Sequence, residues 1–247
     1  MEQTPLKRPP VKDNLISTLN KMGYMLAKPE TLNQAFIDFA GIAETPVLEI
    51  GSAYGVATIP SLKKGAVVIA NDLDERHLQL LKSQAPVSLL ERLQLKPGRM
   101  PDDLNFPEES LSAVLASRVL NFIHPTKLEE SFHLIFKWLK KGGQFFYLGG
   151  SPWSGTYYRF IPQYEKNRQE KKTWPGFIDS IKDYASPERA ANLPEFVTLL
   201  DKDEVKHLMT QSGFKIQTLT YASVDEENPR EMKLDGREYI SAIGVKK

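Results

Sequence analysis

Val47-Leu48-Glu49-Ile50-Gly51-Ser52-Ala53-Tyr54-Gly55 is the stretch from which the rest of the chain is read. A short apolar run, broken only by Glu49, ends abruptly at a glycine. Such a run reads as a strand buried on both faces, as in parallel sheets. Glycine at a strand-to-helix turn reaches backbone angles closed to other residues and lets the backbone approach a ligand. The helix that follows offers free N–H groups at its N-terminus. This is the general architecture of a nucleotide site at the carboxyl end of a central strand.

Working outward, Leu32, Phe36, Phe39 and Ala43 fall on one helical face that Pro46 terminates. After the turn, Pro60 shortens or kinks a helix that Gly65 ends, and Ala66–Ala70 reads as a second buried strand. Asp72 closes that strand roughly 20 residues beyond the glycine turn, where a carboxylate can accept both hydroxyl hydrogens of a ribose. Asp74 suits a helix cap. Leu93–Leu95 and Ala113–Ala116 read as third and fourth strands. Thr126 and Glu129 form a capping-box pattern for a helix carrying Leu128, Phe132, Ile135, Phe136 and Leu139. Gly142 and Gly143 stop it before a fifth strand, Phe145–Leu148. Alternating strands and helices predict βαβ units, hence a doubly wound α/β fold with a mostly parallel sheet.

Residues 151–197 break this rhythm with Trp153, Tyr157, Tyr158, Phe160, Tyr164, Trp174, Phe177 and Tyr184 among prolines. It resumes where Asp201 caps a helix holding Val205, Leu208 and Met209, ended by Gly213. Phe214–Tyr221 and Glu238–Val245 then close the sheet as a hairpin. The expected organisation is a flexible tail at 1–12 and one domain over 13–247. Within it lie N-terminal helices at 13–44 and an aromatic-rich cap inserted after strand 5, at 151–197.

Composition excludes several functions. The 247 residues contain no cysteine, so disulfides, thiolate nucleophiles and cysteine zinc sites are ruled out. Four histidines form no His-x-x-x-His pair, and no metal is expected. A net charge of +1 creates no field toward nucleic acid or membrane. Arg159, Lys166, Arg168, Lys171 and Lys172 lie among aromatics, but Glu165 and Glu170 dilute them, and a solvated helix face is the expectation. MEQTPLKRPPVK at the N-terminus lacks the apolar core of a secretory signal, and no apolar run nears the ~18 residues a membrane span needs. A cytoplasmic location is expected.

Five motifs in order resemble the class I S-adenosylmethionine-dependent methyltransferases. The first is Glu49 with the Gly51–Gly55 turn, similar to an acidic residue before G-x-G-x-G. The others are Ile69-Ala70-Asn71-Asp72, the stretch Phe106–Leu120, Leu139-Lys140-Lys141-Gly142-Gly143, and Ser212-Gly213-Phe214. The resemblance spans about residues 45–150 and 198–245 and implies a seven-stranded sheet with S-adenosylmethionine as cofactor. It implies that Glu49 orients the methionyl end and its ammonium, with Gly51, Ser52, Ala53 and Gly55 passing close by. Asp72 would hold the ribose, Leu73 would pack on adenine, Met100 would lie at the adenine edge, and Ser117 and Arg118 would line the methyl-donor region. Three positions depart from the family pattern. Ala53 replaces the middle glycine, Arg99 stands where an acidic residue often meets the adenine amino group, and Ser112 replaces an aspartate.

Methyl transfer from a sulfonium needs alignment and exclusion of water more than protein chemistry. His124 is the candidate general base, with Tyr24, Asn121, Trp153 and Tyr157 as candidate acceptor-binding residues. Ser117-Arg118-Val119-Leu120 occupies the place where an Asn/Asp-Pro-Pro-Tyr/Phe motif would signal methylation of base amino groups, so a small-molecule acceptor is expected. Two other readings stay open at this point. One is a nicotinamide-dependent Rossmann oxidoreductase, for which Tyr24 and Lys28 give the single Tyr-x-x-x-Lys spacing. The other is a degenerate methyltransferase-like scaffold.

Overall fold

The computed structural model describes residues 6–247. The chain opens with a hairpin, β1 (Leu15–Ser17) against β2 (Tyr24–Leu26), followed by helix α1 (Thr31–Ala40). The helices expected at 13–44 are therefore corrected to one hairpin and one helix. Of the tail expected at 1–12, residues 1–5 lie outside the described residues. Residues 6–12 form no helix or strand, although Lys12 exchanges two 2.9 Å backbone hydrogen bonds with Leu15.

The main sheet is built in the predicted order: β3 (Val47–Ile50), α2 (Thr58–Lys63), β4 (Val68–Asp72), α3 (Glu75–Gln84), β5 (Leu93–Pro97), β6 (Leu111–Ser117), α4 (Pro125–Trp138) and β7 (Leu139–Gly150). Between β7 and the last helix lie α5 (Ile161–Gln169), a two-residue pair β8 (Phe177–Ile178) and β9 (Val197–Thr198), and the short α6 (Pro187–Ala190). Helix α7 (Lys202–Gln211) leads to β10 (Lys215–Ala222) and β11 (Tyr239–Val245). Across the seven-stranded sheet the order is β10-β11-β7-β6-β3-β4-β5, and β11 alone runs against the others. The chain leaves central β3 toward β5, then returns to β6 on the other side of β3. This reversal opens a crevice at the carboxyl ends of β3 and β6, where ligands of doubly wound sheets bind.

Strand alternation sets what faces the crevice's floor. Leu48 and Ile50 pack on one face with Phe132 and Ile135 of α4 and Leu208 of α7. Val47 packs on the other face with Phe36 of α1 and Leu62 of α2. Glu49 shares the Val47 face, so a carboxylate is buried against α2. Both faces of the strand are covered, which is why its sequence reads as a nearly continuous apolar run.

Two local expectations change. Helix α4 is capped by His124, with Pro125 as its first residue, rather than by Thr126. It ends at Trp138, before the two glycines, and Gly142 turns at φ +78 inside the long β7. Ser112 fixes the approach to β3, because its hydroxyl accepts from Thr45 N–H at 3.1 Å and meets the Thr45 hydroxyl at 2.7 Å.

Candidate active site

A cavity of about 350 Å³ opens in the crevice, and its walls include Glu49, Gly51, Ser52, Ala53, Asp72, Leu73, Met100, Ser117, Arg118 and His124. Most residues singled out from the sequence thus converge; Gly55, Asn121, Trp153 and Tyr157 do not line this cavity.

Glu49 is 4% exposed and accepts a hydrogen bond from the Thr58 hydroxyl of α2. Burial pushes its carboxyl up to about 7 from an ordinary 4.5, against the pull of that hydrogen bond. No lysine, arginine or histidine forms a salt bridge with it among the described residues. A buried carboxylate facing a cavity without a cationic partner fits an ammonium group supplied by a ligand.

Asp72 does more than the sequence suggests. One oxygen accepts from Ala53 N–H at 3.0 Å, and the other accepts from Asp74 N–H at 2.9 Å and from His77 Nδ1 at 3.0 Å. The orientation of His77 is set by Leu19, whose N–H donates to Nε2 at 2.9 Å. With Nε2 accepting, Nδ1 carries the proton and donates to Asp72. The carboxylate ties the glycine turn to the end of β4 while still lining the cavity. Its remaining lone pairs can accept from hydroxyls.

The turn itself is tighter than its two glycines imply. Gly51 has φ +71, and a Cβ there would lie 2.8 Å from Val119. Gly55 has φ +85, with Leu81 filling the equivalent space at 2.8 Å. Gly55 does not line the cavity, and its expected closeness to a ligand is corrected to a packing and turn role. Ala53 adopts φ +42, so the departure from glycine is accommodated in a left-handed conformation while its N–H still reaches Asp72. The Ser52 hydroxyl is buried on the cavity wall with no partner among the described residues.

On the opposite end, Leu73 is 44% exposed and Met100 is buried, giving an apolar lip suited to a flat ring. Arg99 is exposed, and its backbone N–H donates to Asp103 at 3.0 Å. Asp102 also reaches the wall, paired with Lys127 at 2.9 Å. Arg118, at φ +57, pairs with Glu30 at the start of α1 and lies 4.5 Å from the Tyr239 ring.

His124 is exposed at the rim, edge-on to Phe177 and Phe196 at 5.2 and 5.8 Å. Its Nδ1 meets the Thr126 hydroxyl at 2.9 Å and accepts from Thr126 N–H at 3.4 Å, so the ring is engaged in capping α4. This argues against the general-base role. His124→Asn, which keeps a good cap, is expected to retain turnover within about threefold. A loss of a hundredfold or more, with a shifted pH profile, would restore histidine as the base.

The remaining three residues outside this cavity are acceptor candidates. Asn121 is buried and fully engaged: its amide donates to Thr198 O at 2.7 Å and Gly150 O at 3.2 Å, and accepts from Gly150 N–H at 2.9 Å. It clamps β7 to β9 and lines a smaller cavity beside this one, its amide held by these backbone bonds. Trp153 lines neither this cavity nor its neighbour. It packs edge-on against Tyr164 and Tyr221 at 5.5 and 5.8 Å, beneath Arg237 at 4.4 Å. Trp153→Ala is therefore expected to cost about 2–3 kcal/mol of stability and leave the turnover of folded enzyme unchanged, as thermal melts with matched kinetics would show. Tyr157 and Tyr24 do meet, in a second cavity of about 90 Å³ that shares Gly23, Tyr24, Leu26, Arg118 and Phe122 with the first.

The segment 151–197 thus contributes less cover than expected. Tyr157, Phe160, Tyr164, Ile178 and Ile181 form a satellite core of their own, and Phe196 alone of that segment lines the larger cavity. Cover comes instead from the hairpin, whose Thr18, Asn20, Met22 and Met25 line the cavity. The hairpin is held by Leu19 on His77 and by the Tyr54 hydroxyl donating to Ser17 O at 3.0 Å. Lys28, the partner required for a reductase pair with Tyr24, points away to an exposed bond with Glu227 at 2.7 Å.

Residues 47–143 match a family model described as a methyltransferase domain. No curated protein sequence matches the chain. Among solved structures, an S-adenosylmethionine-dependent methyltransferase from Methanosarcina mazei superposes with a TM-score of 0.65 at 15% identity, covering 89% of this chain and 98% of that one. The geranyl diphosphate C-methyltransferase of Streptomyces coelicolor A3(2) gives 0.60 at 12% identity, covering 87% and 78%. The glycopeptide N-methyltransferase MtfA complexed with S-adenosylhomocysteine gives 0.57 at 17% identity, covering 90% and 91%. At these identities the likeness concerns the fold. Among the described residues, no helix is long and apolar enough to cross a membrane.

Proposed function

We propose that this chain, whose residues 47–143 match a methyltransferase domain, is a class I S-adenosylmethionine-dependent methyltransferase that methylates a small-molecule acceptor. The observation that carries the reading is a pair of buried carboxylates, Glu49 and Asp72, at the carboxyl ends of adjacent strands on one cavity. Glu49 suits the donor's ammonium, and Asp72 suits its ribose hydroxyls. Leu73 and Met100 suit its adenine. The bound sulfonium supplies an already activated methyl group. The protein's part is to hold the donor in line, exclude water with the hairpin, and seat the acceptor in the adjoining smaller cavity walled by Tyr24 and Tyr157. No protein residue is assigned as a base.

One solved neighbour supports the acceptor class, a geranyl diphosphate methyltransferase in complex with GPP and sinefungin. Titration calorimetry with S-adenosylhomocysteine tests the donor half. Saturable one-to-one binding that NADH does not compete is the expected result. No binding, or displacement by NADH, would overturn it.

A further inference from the structure

Arg189 stands out among the groups that the donor site leaves unused. It is 8% exposed, lies in the short α6, and stacks over Tyr24 with its guanidinium carbon 4.5 Å from the ring centroid. Its buried Nε–H has no hydrogen-bond partner among the described residues. The carboxylate paired with it, Glu231, stands 3.6 Å from Nε, beyond hydrogen-bond reach, and is half exposed to solvent. Arginine cannot shed its proton to relieve this, so a buried and poorly paired guanidinium favours an incoming anion.

Arg189 faces the smaller cavity, whose other walls include Tyr157, Leu193, Leu199 and Met232. That cavity meets the donor cavity along Gly23, Tyr24 and Arg118. Arg189 and Thr156 also form part of a surface groove lined by Arg159, Arg230 and Lys233, so cationic side chains flank the outer approach. Arg118 carries a second buried Nε–H without a partner, although Glu30 offsets its charge.

We propose that Arg189 determines acceptor specificity, and that the acceptor is a small anion: a carboxylate or phosphate ester on a flat or apolar body. The anionic head pairs with Arg189, and the body lies against Tyr157 and Leu199 and points toward the methyl donor. This rests on reading the smaller cavity as the acceptor site.

Calorimetry on protein saturated with S-adenosylhomocysteine tests it, using benzoate, phenyl phosphate and their neutral analogue benzamide. At least one anion is expected to bind, with benzamide at least tenfold weaker. Binding by benzoate alone identifies a carboxylate, and by phenyl phosphate alone a phosphate ester. Arg189→Met should weaken the anion about thirtyfold while sparing S-adenosylhomocysteine, and Arg189→Lys should recover part of the loss. Should Arg189→Met fail to fold, Glu231→Gln removes the competing carboxylate and should tighten the anion severalfold. Equal binding of benzamide, undiminished anion binding by Arg189→Met, or no effect of Glu231→Gln would overturn the proposal. A parallel titration of the free protein with S-adenosylhomocysteine keeps the two questions apart. Its failure would strike the donor assignment, whereas the anion titrations, repeated without it, report on Arg189.

Discussion

Glu49→Gln is expected to stabilise the free protein at pH 8 by several degrees and to weaken S-adenosylhomocysteine binding by about thirty- to a hundredfold. The stability gain follows from linkage. The folded value near 7 lies above the ordinary 4.5, so the folded state holds a proton that the unfolded state has lost. The stability this confers is complete below about 4.5 and is lost as pH rises through 7, a span worth on the order of 3 kcal/mol. Glutamine keeps an oxygen for the Thr58 hydroxyl and carries no charge at any pH. Thermal melts from pH 5 to 9 should show the wild-type free protein losing stability relative to the variant with increasing pH. The ligand's ammonium favours the ionised carboxylate, so binding to wild type below pH 7 should release protons, and buffers of different ionisation enthalpy would reveal this. Parallel stability curves for the two proteins, or equal affinity, would refute the assignment of Glu49.

Asp72→Ala is expected to destabilise the fold by about 3–6 kcal/mol, which makes it a poor probe of ligand contact. Truncation strands the N–H groups of Ala53 and Asp74 and the Nδ1–H of His77, each costing about 1–3 kcal/mol when buried and unpaired. A reading from sequence alone anticipates lost affinity with little change in melting temperature, because nothing in Ile69-Ala70-Asn71-Asp72 reveals those three donors. Asp72→Asn retains one acceptor oxygen. It should lose about 2 kcal/mol in chemical denaturation and still weaken S-adenosylhomocysteine by tenfold or more. A folded Asp72→Asn with wild-type affinity would show that Asp72 serves the turn alone.

The parts legible in the sequence are those whose physics is local. Val47–Ile50 and the Ala66–Ala70 stretch that enters β4 show themselves as largely apolar runs because the strands are enclosed on both faces, and the turn between them needs positive φ where glycine stands. The hairpin at 15–26 carries no such signature. Its strands are three residues long, and much of its docking comes from Ile16 against Ala53, Tyr54 and Leu80. The cap on α4 escapes a sequence reading because histidine is not among the residues that ordinarily cap helices. Trp153 and Tyr157 are indistinguishable in sequence. Which of the two meets a cavity depends on how the 151–197 segment folds on itself and on β10, a purely tertiary matter. His77 gives no sign of its importance, since its two partners lie 58 and 5 residues away and act through opposite ring nitrogens.

The hairpin that walls the donor cavity is fastened at its tip by a hydrogen bond from Leu19 to the same histidine that orients Asp72. Cover and grip therefore share one ring, and loosening either disturbs the other. For a transferase whose spent donor differs from the fresh one by a single methyl group, exchange of one for the other is an obligatory event in every cycle. A substitution at His77 is therefore expected to alter the exchange of spent for fresh donor as well as the affinity for either, which stopped-flow release of S-adenosylhomocysteine would show.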